Sequence, residues 1–482
     1  MGKTTTNNPK VLDELGKHTK KEKLKKIKKL STRSPTGKLI YKEAALCDYL
    51  EKEGYHLLDN FGAQITGQLI DNVAHIKTPQ DVFNDVLALI KIQDNDELRT
   101  SWMKQGEDML IKRKAILGSL TKLKLDRHRD TKDNARLFYQ NTIVVIAKKD
   151  YRLETYEQFR KSGKYIFSQQ IIPRNYIRSV GKKSDFGKFS RLITNDEKHL
   201  LSYRTTLGYL ISNYKNPSLA KAVIVSDMLS QIENEAYGRS GKGIIIKALS
   251  YLINIVEYNG KATDLKYDRF VYQNVTVLTA LMVLQDVAKG FVFESLFSTL
   301  TDSMSIERKH QSKTSIPFSQ SPKIALTTNY TIPQDTDSFK DRKHLIMLNN
   351  FFNAKNKPVQ HFKKLLFDWN EKEWNRFDNY MVECVRLFLK NGLIGYTNKN
   401  VERLKLISQT SEEFVELMES EYCFVSSFFS IKKIAAGMDV PTDEPSSKSR
   451  IVGGWIDLYA AYKGYNIERR KLGGVIKICF RP

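Results

Sequence analysis

The sequence predicts a multidomain chain: a mainly helical α+β N-terminal domain, an α/β core on a parallel sheet, and a C-terminal helical and winged-helix-like region. Three observations carry this. The 482 residues suffice for about three domains. Apolar residues at i, i+3, i+4 spacing dominate before about residue 202 and again beyond Phe351. Between them, from Leu207, apolar runs alternate with glycine turns, as expected of parallel strands covered on both faces. The divisions fall at 1–38, 39–202, 203–350 and 351–482.

Residues 1–38 form a basic arm, with twelve Lys or Arg against three Asp or Glu. Eight lysines lie between Lys17 and Lys29, and Leu24, Ile27 and Leu30 recur every third residue. The arm reads as a solvated, disordered tail, with a short basic helix as the alternative. Ser34-Pro35-Thr36-Gly37 then reads as a turn. Helices are predicted over Ala44–Leu58 and Pro79–Ile92, and a strand over Thr142–Ile146. In the core, Val275–Leu284 and Lys323–Thr328 are buried-strand candidates. The C-terminal section ends in a helix over Trp455–Tyr462, a turn at Gly464 and a β-like run from Gly474 to Phe480.

Charge narrows the function. There are 78 Lys and Arg against 54 Asp and Glu, a formal net charge of +24. A surplus this large favours a polyanionic partner, and nucleic acid is the default because phosphate contacts release condensed counterions. An anionic membrane is the rival. No run approaches about 18 apolar residues, and the N-terminus is polar and Lys-rich, unlike a secretory signal. Met1-Gly2-Lys3-Thr4-Thr5-Thr6 fits only the loose myristoylation pattern. Cys47, Cys384, Cys423 and Cys479 are far apart, which suggests neither a zinc site nor disulfides. Reduced thiols in a cytoplasmic protein are the plain expectation.

Three motifs carry the chemistry. Ala236-Tyr237-Gly238-Arg239-Ser240-Gly241-Lys242-Gly243 opens the apolar helix Ile244–Leu252. A glycine turn into a helix N-terminus cradles anions on free N–H groups, and Lys242 would reach the β- and γ-phosphates. The usual Ser or Thr that ligates Mg²⁺ is replaced here by Gly243. The second motif is Leu281–Leu284 running into Gln285-Asp286. An acid at the carboxyl end of a buried strand suits a nucleotide-bound Mg²⁺, although Asp286 could equally be a helix N-cap. Gln285 stands where a second acid is usual; it can orient water but is a poor base. The third is Ser321–Tyr330, an apolar strand ending in Asn329.

Together these motifs resemble those of superfamily 3 helicases, of the phage, plasmid and poxvirus primase-helicase type. Lys242 lies 44 residues before Asp286, and Asp286 lies 43 before Asn329, the compact spacing of that family. The flanks Arg204–Leu210, Lys221–Val223 and Phe351–Trp374 resemble the segments on either side of its ATPase core. The resemblance implies an AAA+ core that binds ATP and Mg²⁺, with Asn329 sensing the γ-phosphate or the attacking water. It implies a hairpin in the channel near Arg308, Lys309 and His310, with Lys309 the first choice for tracking the DNA backbone; a solvated basic tip is the alternative. It implies an arginine finger at Arg342, with Lys343 a poorer stand-in and an ordinary surface arginine the alternative. The expected activity is ATP-dependent translocation on single-stranded or forked DNA by a homo-oligomeric ring, hexameric, in replication of a phage, plasmid or integrated element. No primase site surrounds Asp94 and Asp96, so primer synthesis would need a separate protein. Gly243 and Gln285 motivate the other reading, a degenerate AAA+ protein that binds DNA or a partner without efficient turnover.

Overall fold

In a computed structural model the chain is described over residues 30–481. The exceptions are 61–62, 93, 229–238, 264, 266, 310–312, 331, 333–335, 398–401, 404–405, 408, 423–426, 441, 443–446 and 473–474. The basic run from Lys17 to Lys29 therefore lies outside the described residues, as do Gly238, His310 and Cys423. The turn at 34–37 closes an antiparallel pair, Ser31–Arg33 with Leu39–Tyr41. Gly37 there has φ +79° and donates its N–H to Ser34 O at 2.8 Å. Leu30 is buried among Tyr41, Leu46 and Trp102, so the last residues of the predicted arm belong to the folded part.

The predicted helix over Ala44–Leu58 is shorter, Glu43–Lys52. Gly54, at φ +85°, reverses the chain where a Cβ would lie 2.5 Å from Leu69 O, and Leu57 and Leu58 fall on the strand Tyr55–Asn60. Helix Pro79–Lys91 forms as expected, with a Thr78/Asp81 capping box and proline in its first turn. The N-terminal section is richer in strands than its helical spacing suggests, both before and after residue 120. It contributes a five-stranded sheet and a four-stranded sheet, the second built around Asn134–Tyr139 and Ile143–Ala147. "Mainly helical" is thus corrected to mixed α and β. Short strands, of two to eight residues, leave too few periods to stand out from helical spacing.

The core sheet has five parallel strands: β1 (Ala222–Asp227), β2 (Ile255–Asn259), β3 (Leu281–Val287), β4 (Lys323–Thr328) and β5 (Lys343–Leu348). Their order across the sheet is β2-β3-β4-β1-β5. Both faces are buried, as a parallel sheet requires. Val223, Val225, Leu281, Val283 and Ala325 face one hydrophobic cluster. The alternating residues Ile224, Met282, Leu284, Ile324 and Leu326 face another. The predicted strand at Val275 begins only at Leu281; residues 275–280 are irregular with a turn at 277–278, and Val275 and Val277 pack beside Phe293. An apolar run shows burial but not where the ladder starts.

Helix α1 (Glu197–Ile211) leads into β1 and runs through the expected division near residue 203. Helix α2 (Lys242–Ser250) follows the glycine turn. Helix α3 (Glu371–Asn391) packs on α1. The last section comprises helices Glu412–Ser420, Ile431–Ala436 and Lys448–Lys463 with a three-stranded antiparallel sheet, Phe429–Ser430, Val475–Arg481 and Asn466–Leu472 in that order. Cys384 and Cys479 are buried free thiols and Cys47 is half-buried. Among the described residues no helix is long and apolar enough to cross a membrane.

Two buried imidazoles tie α1 into this core. His344 Nε2 lies 2.8 Å from Thr206 Oγ1, and burial, then Lys221, pushes His344 down to about 4. His199 Nδ1 accepts from Asn195 N at 3.2 Å, and burial lowers it to about 4 against the opposing charge of Asp196. Both groups bind protons more weakly folded than unfolded. Their stabilisation is therefore present above an unfolded value of about 6.5 and lost as pH falls toward 4, on the order of 3 kcal/mol for His344. Denaturation curves between about pH 7 and pH 4 are expected to be flatter for His344→Gln than for the parent; parallel curves would refute the assignment.

Candidate nucleotide site

The carboxyl ends of β3, β4 and β1 are adjacent in the sheet, and residues at the ends of β3 and β4 meet the glycine turn before α2 in one open cavity of about 700 Å³. Its walls include Arg239 to Ile244, Gln285, Asp286, Thr327, Asn329, Lys357 and Pro358. Ligands bind at such strand ends in open α/β sheets.

The phosphate cradle begins at Gly241, at φ +105°, where a Cβ would strike the Phe189 ring at 2.7 Å. Only glycine allows both that conformation and that approach. Helix α2 starts there with no side-chain cap, which leaves its first N–H groups for an anion. Ser240 is 4% exposed, and its Oγ has no partner among the described residues. Lys242 Nζ donates to Asp227 Oδ2 at 2.5 Å and to Asn329 Oδ1 at 2.6 Å. Two expected residues, Lys242 and Asn329, are thus in direct contact although 87 positions apart. At Gly243 a Cβ would meet nothing within 4 Å, so the missing hydroxyl is not excluded by space.

Asp286 sits in a β-bulge, where the β3–β4 register shifts between Leu284 and Val287. Its φ is +53°, strained for a residue with a side chain. The bulge turns its carboxylate out of the sheet to an exposed position, and its N–H is held by Thr327 Oγ1 at 2.8 Å. Gln285 is engaged at both ends: Oε1 accepts from Thr327 Oγ1 at 3.0 Å, and Nε2 donates to Glu257 Oε2 at 2.8 Å. The Gln285 amide thus braces β2, β3 and β4.

Asp227 and Glu257 were not singled out in the sequence. Asp227 carries the same signal as Asp286, an acid closing a buried apolar strand, and its Oδ1 is buried without a partner among the described residues. Glu257, Lys357 and Pro358 carry no such signal; tertiary contact alone places them. The donor set fits a nucleotide triphosphate in the cradle. For Mg²⁺ it offers the exposed Asp286 carboxylate, which suits an ion whose other ligands are phosphate oxygens and water. No cluster of three or more His, Cys, Asp or Glu that could hold a metal occurs among the described residues.

The other expected residues lie apart from this cavity. Met304–Ile306 and Thr314–Ile316 do form a hairpin, with Lys309 exposed near its tip. Arg308 instead binds backbone, donating to Gln273 O at 3.2 Å and Val275 O at 2.6 Å, so it ties the hairpin loop to the segment before β3. Arg342 donates to Ser338 O at 3.0 Å and Ser338 Oγ at 2.8 Å. Its guanidinium lies over the Phe297 ring.

No family model and no curated protein matches this chain. Among solved structures, the A form apo structure of the NrS-1 C-terminal region aligns over 90% of this chain and 98% of that one, at 12% identity and a TM-score of 0.43. A second apo structure of that region, 305–718, aligns over 91% and 98%, at 11% identity and a TM-score of 0.41. A crystal structure of JCV helicase with a bound acetamide compound aligns over 49% and 64%, at 17% identity and a TM-score of 0.24.

Proposed function

We propose that this chain is an ATP-dependent DNA helicase or translocase of superfamily 3, working as a homo-oligomeric, hexameric ring in the cytoplasm during replication of a phage, plasmid or integrated element. The observation that carries the reading is the bridge from Lys242 to Asp227 and Asn329 beside the glycine turn, in one cavity with Asp286. The AAA+ roles then distribute as follows. Backbone N–H groups at Ser240–Gly243, with Gly238 before them, would hold the phosphates. Lys242 would leave Asp227 for the β- and γ-phosphates. Asp286 would hold Mg²⁺, which supplies charge neutralisation at the transferred phosphoryl group. Asn329 would sense the γ-phosphate, and Arg342, or Lys343 less well, would act in the neighbouring subunit's site. Lys309, with Arg308 and His310 beside it, would contact a single strand in the channel. Primer synthesis would fall to a separate primase.

A second reading, a degenerate ring that binds DNA or a replication partner without efficient turnover, is favoured by Gly243 and by the engaged amide of Gln285. ATP hydrolysis with and without single-stranded DNA separates the two. DNA-stimulated turnover supports the motor; none, with DNA binding intact, supports the scaffold. Gly243→Ser with Gln285→Asp is expected to raise turnover at least about tenfold, because it restores a Mg²⁺ hydroxyl where a Cβ meets nothing within 4 Å and a carboxylate beside Asp286. An unchanged rate would count against a weakened enzyme.

A further inference from the structure

Four cationic side chains converge at the end of the core sheet remote from Lys242. Arg127 and Arg129 alternate along an extended segment with His128, whose ring packs against Phe138 and Phe159. Lys215 follows α1, and Lys323 opens β4. All four line one cavity of about 40 Å³, closed by Gln170, Asn213, Val277–Ala280 and Gln320–Ser321. Lys323 is 3% exposed and Lys215 9%.

Among the described residues the hydrogen bonds of each cation go to neutral oxygens. Arg127 donates to Val277 O, and Arg129 to Gln320 O at 3.2 Å. Lys215 donates to Ser321 Oγ at 2.7 Å and Pro322 O at 3.5 Å. Lys323 donates to Tyr209 O and Ser212 O at the end of α1. The buried carboxylate beside them, Asp130, is used elsewhere: its two oxygens accept the N–H groups of Arg136 and Asn213, each at 2.9 Å. Burial, then Arg127, holds Arg129 down to about 9, with Asp130 opposing. Burial, then Arg129, holds Lys215 to about 8. Burial brings Lys323 to about 7, with Asp130 opposing and Lys215 adding. Arg127 is also lowered by burial, against the nearby Asp59 and Tyr165.

Lys215 and Lys323 are buried and Arg127 and Arg129 half-buried; positive charge held there without a bonded anion is expensive, and apolar side chains of similar volume would commonly serve stability better. A cavity of this size, about three waters' worth, admits one small tetrahedral oxyanion. We propose that this crevice binds a single phosphate group, held by Arg127, Arg129, Lys215 and Lys323. An adjoining cavity of about 50 Å³ shares Gln170, Asn213, Leu278 and Ala280 with it and gives the phosphate a route or room for a substituent. The source is free orthophosphate or a phosphate of the nucleic-acid backbone. The site is independent of the nucleotide cradle, although β3 and β4 run from its rim to Asp286 and Asn329.

The test uses full-length protein carrying Lys242→Met with Asp227→Asn, which removes the competing cradle. Equilibrium dialysis with labelled orthophosphate, against chloride at equal ionic strength, is expected to show one saturable site per chain. Adding Lys215→Met or Arg129→Gln is expected to weaken it at least about tenfold, the loss of one charge-assisted partner. In the absence of phosphate these variants are expected to melt no lower than the parent, so loss of binding is not loss of fold. A single-stranded oligonucleotide that displaces orthophosphate from the parent identifies the backbone as the source; failure to displace it assigns the site to free phosphate. Absence of saturable binding, or binding that both substitutions leave unchanged, overturns the proposal.

Discussion

Lys242→Ala is expected to abolish nucleotide turnover and to weaken the core in the same step. Its ammonium bonds Asp227 and Asn329 at the start of α2, so its loss removes the proposed contact to the phosphates. A loss of at least about 100-fold in ATP hydrolysis follows from removing a preorganised donor to developing charge. The stability effect comes from the other partner. Asp227 and Lys242 have side chains 6% and 8% exposed, and a buried carboxylate left without its cation costs about 3–5 kcal/mol. The double variant Lys242→Met with Asp227→Asn is expected to recover most of that stability and none of the turnover. Melting curves beside hydrolysis rates separate the two effects. Unimpaired hydrolysis in Lys242→Ala would refute the nucleotide site itself; a double variant as unstable as the single would refute the ion-pair account.

Gly208→Ala is expected to be a highly damaging small substitution in the packing of α1 on α3. Gly208 lies on α1 where it crosses α3, and an added Cβ would lie 2.2 Å from Cys384 O and 2.7 Å from Phe388 Cβ. A backbone carbonyl inside a helix cannot rotate away, so the helices must separate. Alanine's better helix propensity returns about 1 kcal/mol, less than the overpacking costs. A net loss of about 3 kcal/mol lowers the melting transition of the core by roughly 6–12 °C. Gly118→Ala is the control, since its Cβ meets nothing within 4 Å. Equal melting temperatures for the two variants would show that α1 and α3 are not held at the spacing seen here.

Several parts of this arrangement are legible in the sequence. Lys323–Thr328 is read as a buried strand and is one, because both its faces are covered and its run is bounded by Pro322 and Asn329. The helix over Pro79–Lys91 announces itself through Thr78, Pro79 and Asp81. Other parts are not legible. Val275 and Leu281 look alike as apolar residues, and only the ladder with Lys323 shows that the strand begins at Leu281. Arg308 reads as a channel residue, yet its guanidinium is spent on carbonyls 33 and 35 residues away.

The sequence by itself determined the candidate site residues and their order: a glycine turn before Lys242, an acid at Asp286, a polar end at Asn329 and a basic excess that favours a polyanion. These signals are local, set by turn geometry, by periodicity and by composition. The tertiary structure alone decided their relations. The strand order β2-β3-β4-β1-β5 makes the carboxyl ends of β3, β4 and β1 neighbours. It gives Lys242 to Asp227, binds the amide of Gln285 to Glu257, brings Lys357 and Pro358 to the cavity, and gathers four cations at the sheet's other end. Pairings of that kind depend on which distant segments become adjacent, a property of strand order that no local window of sequence contains.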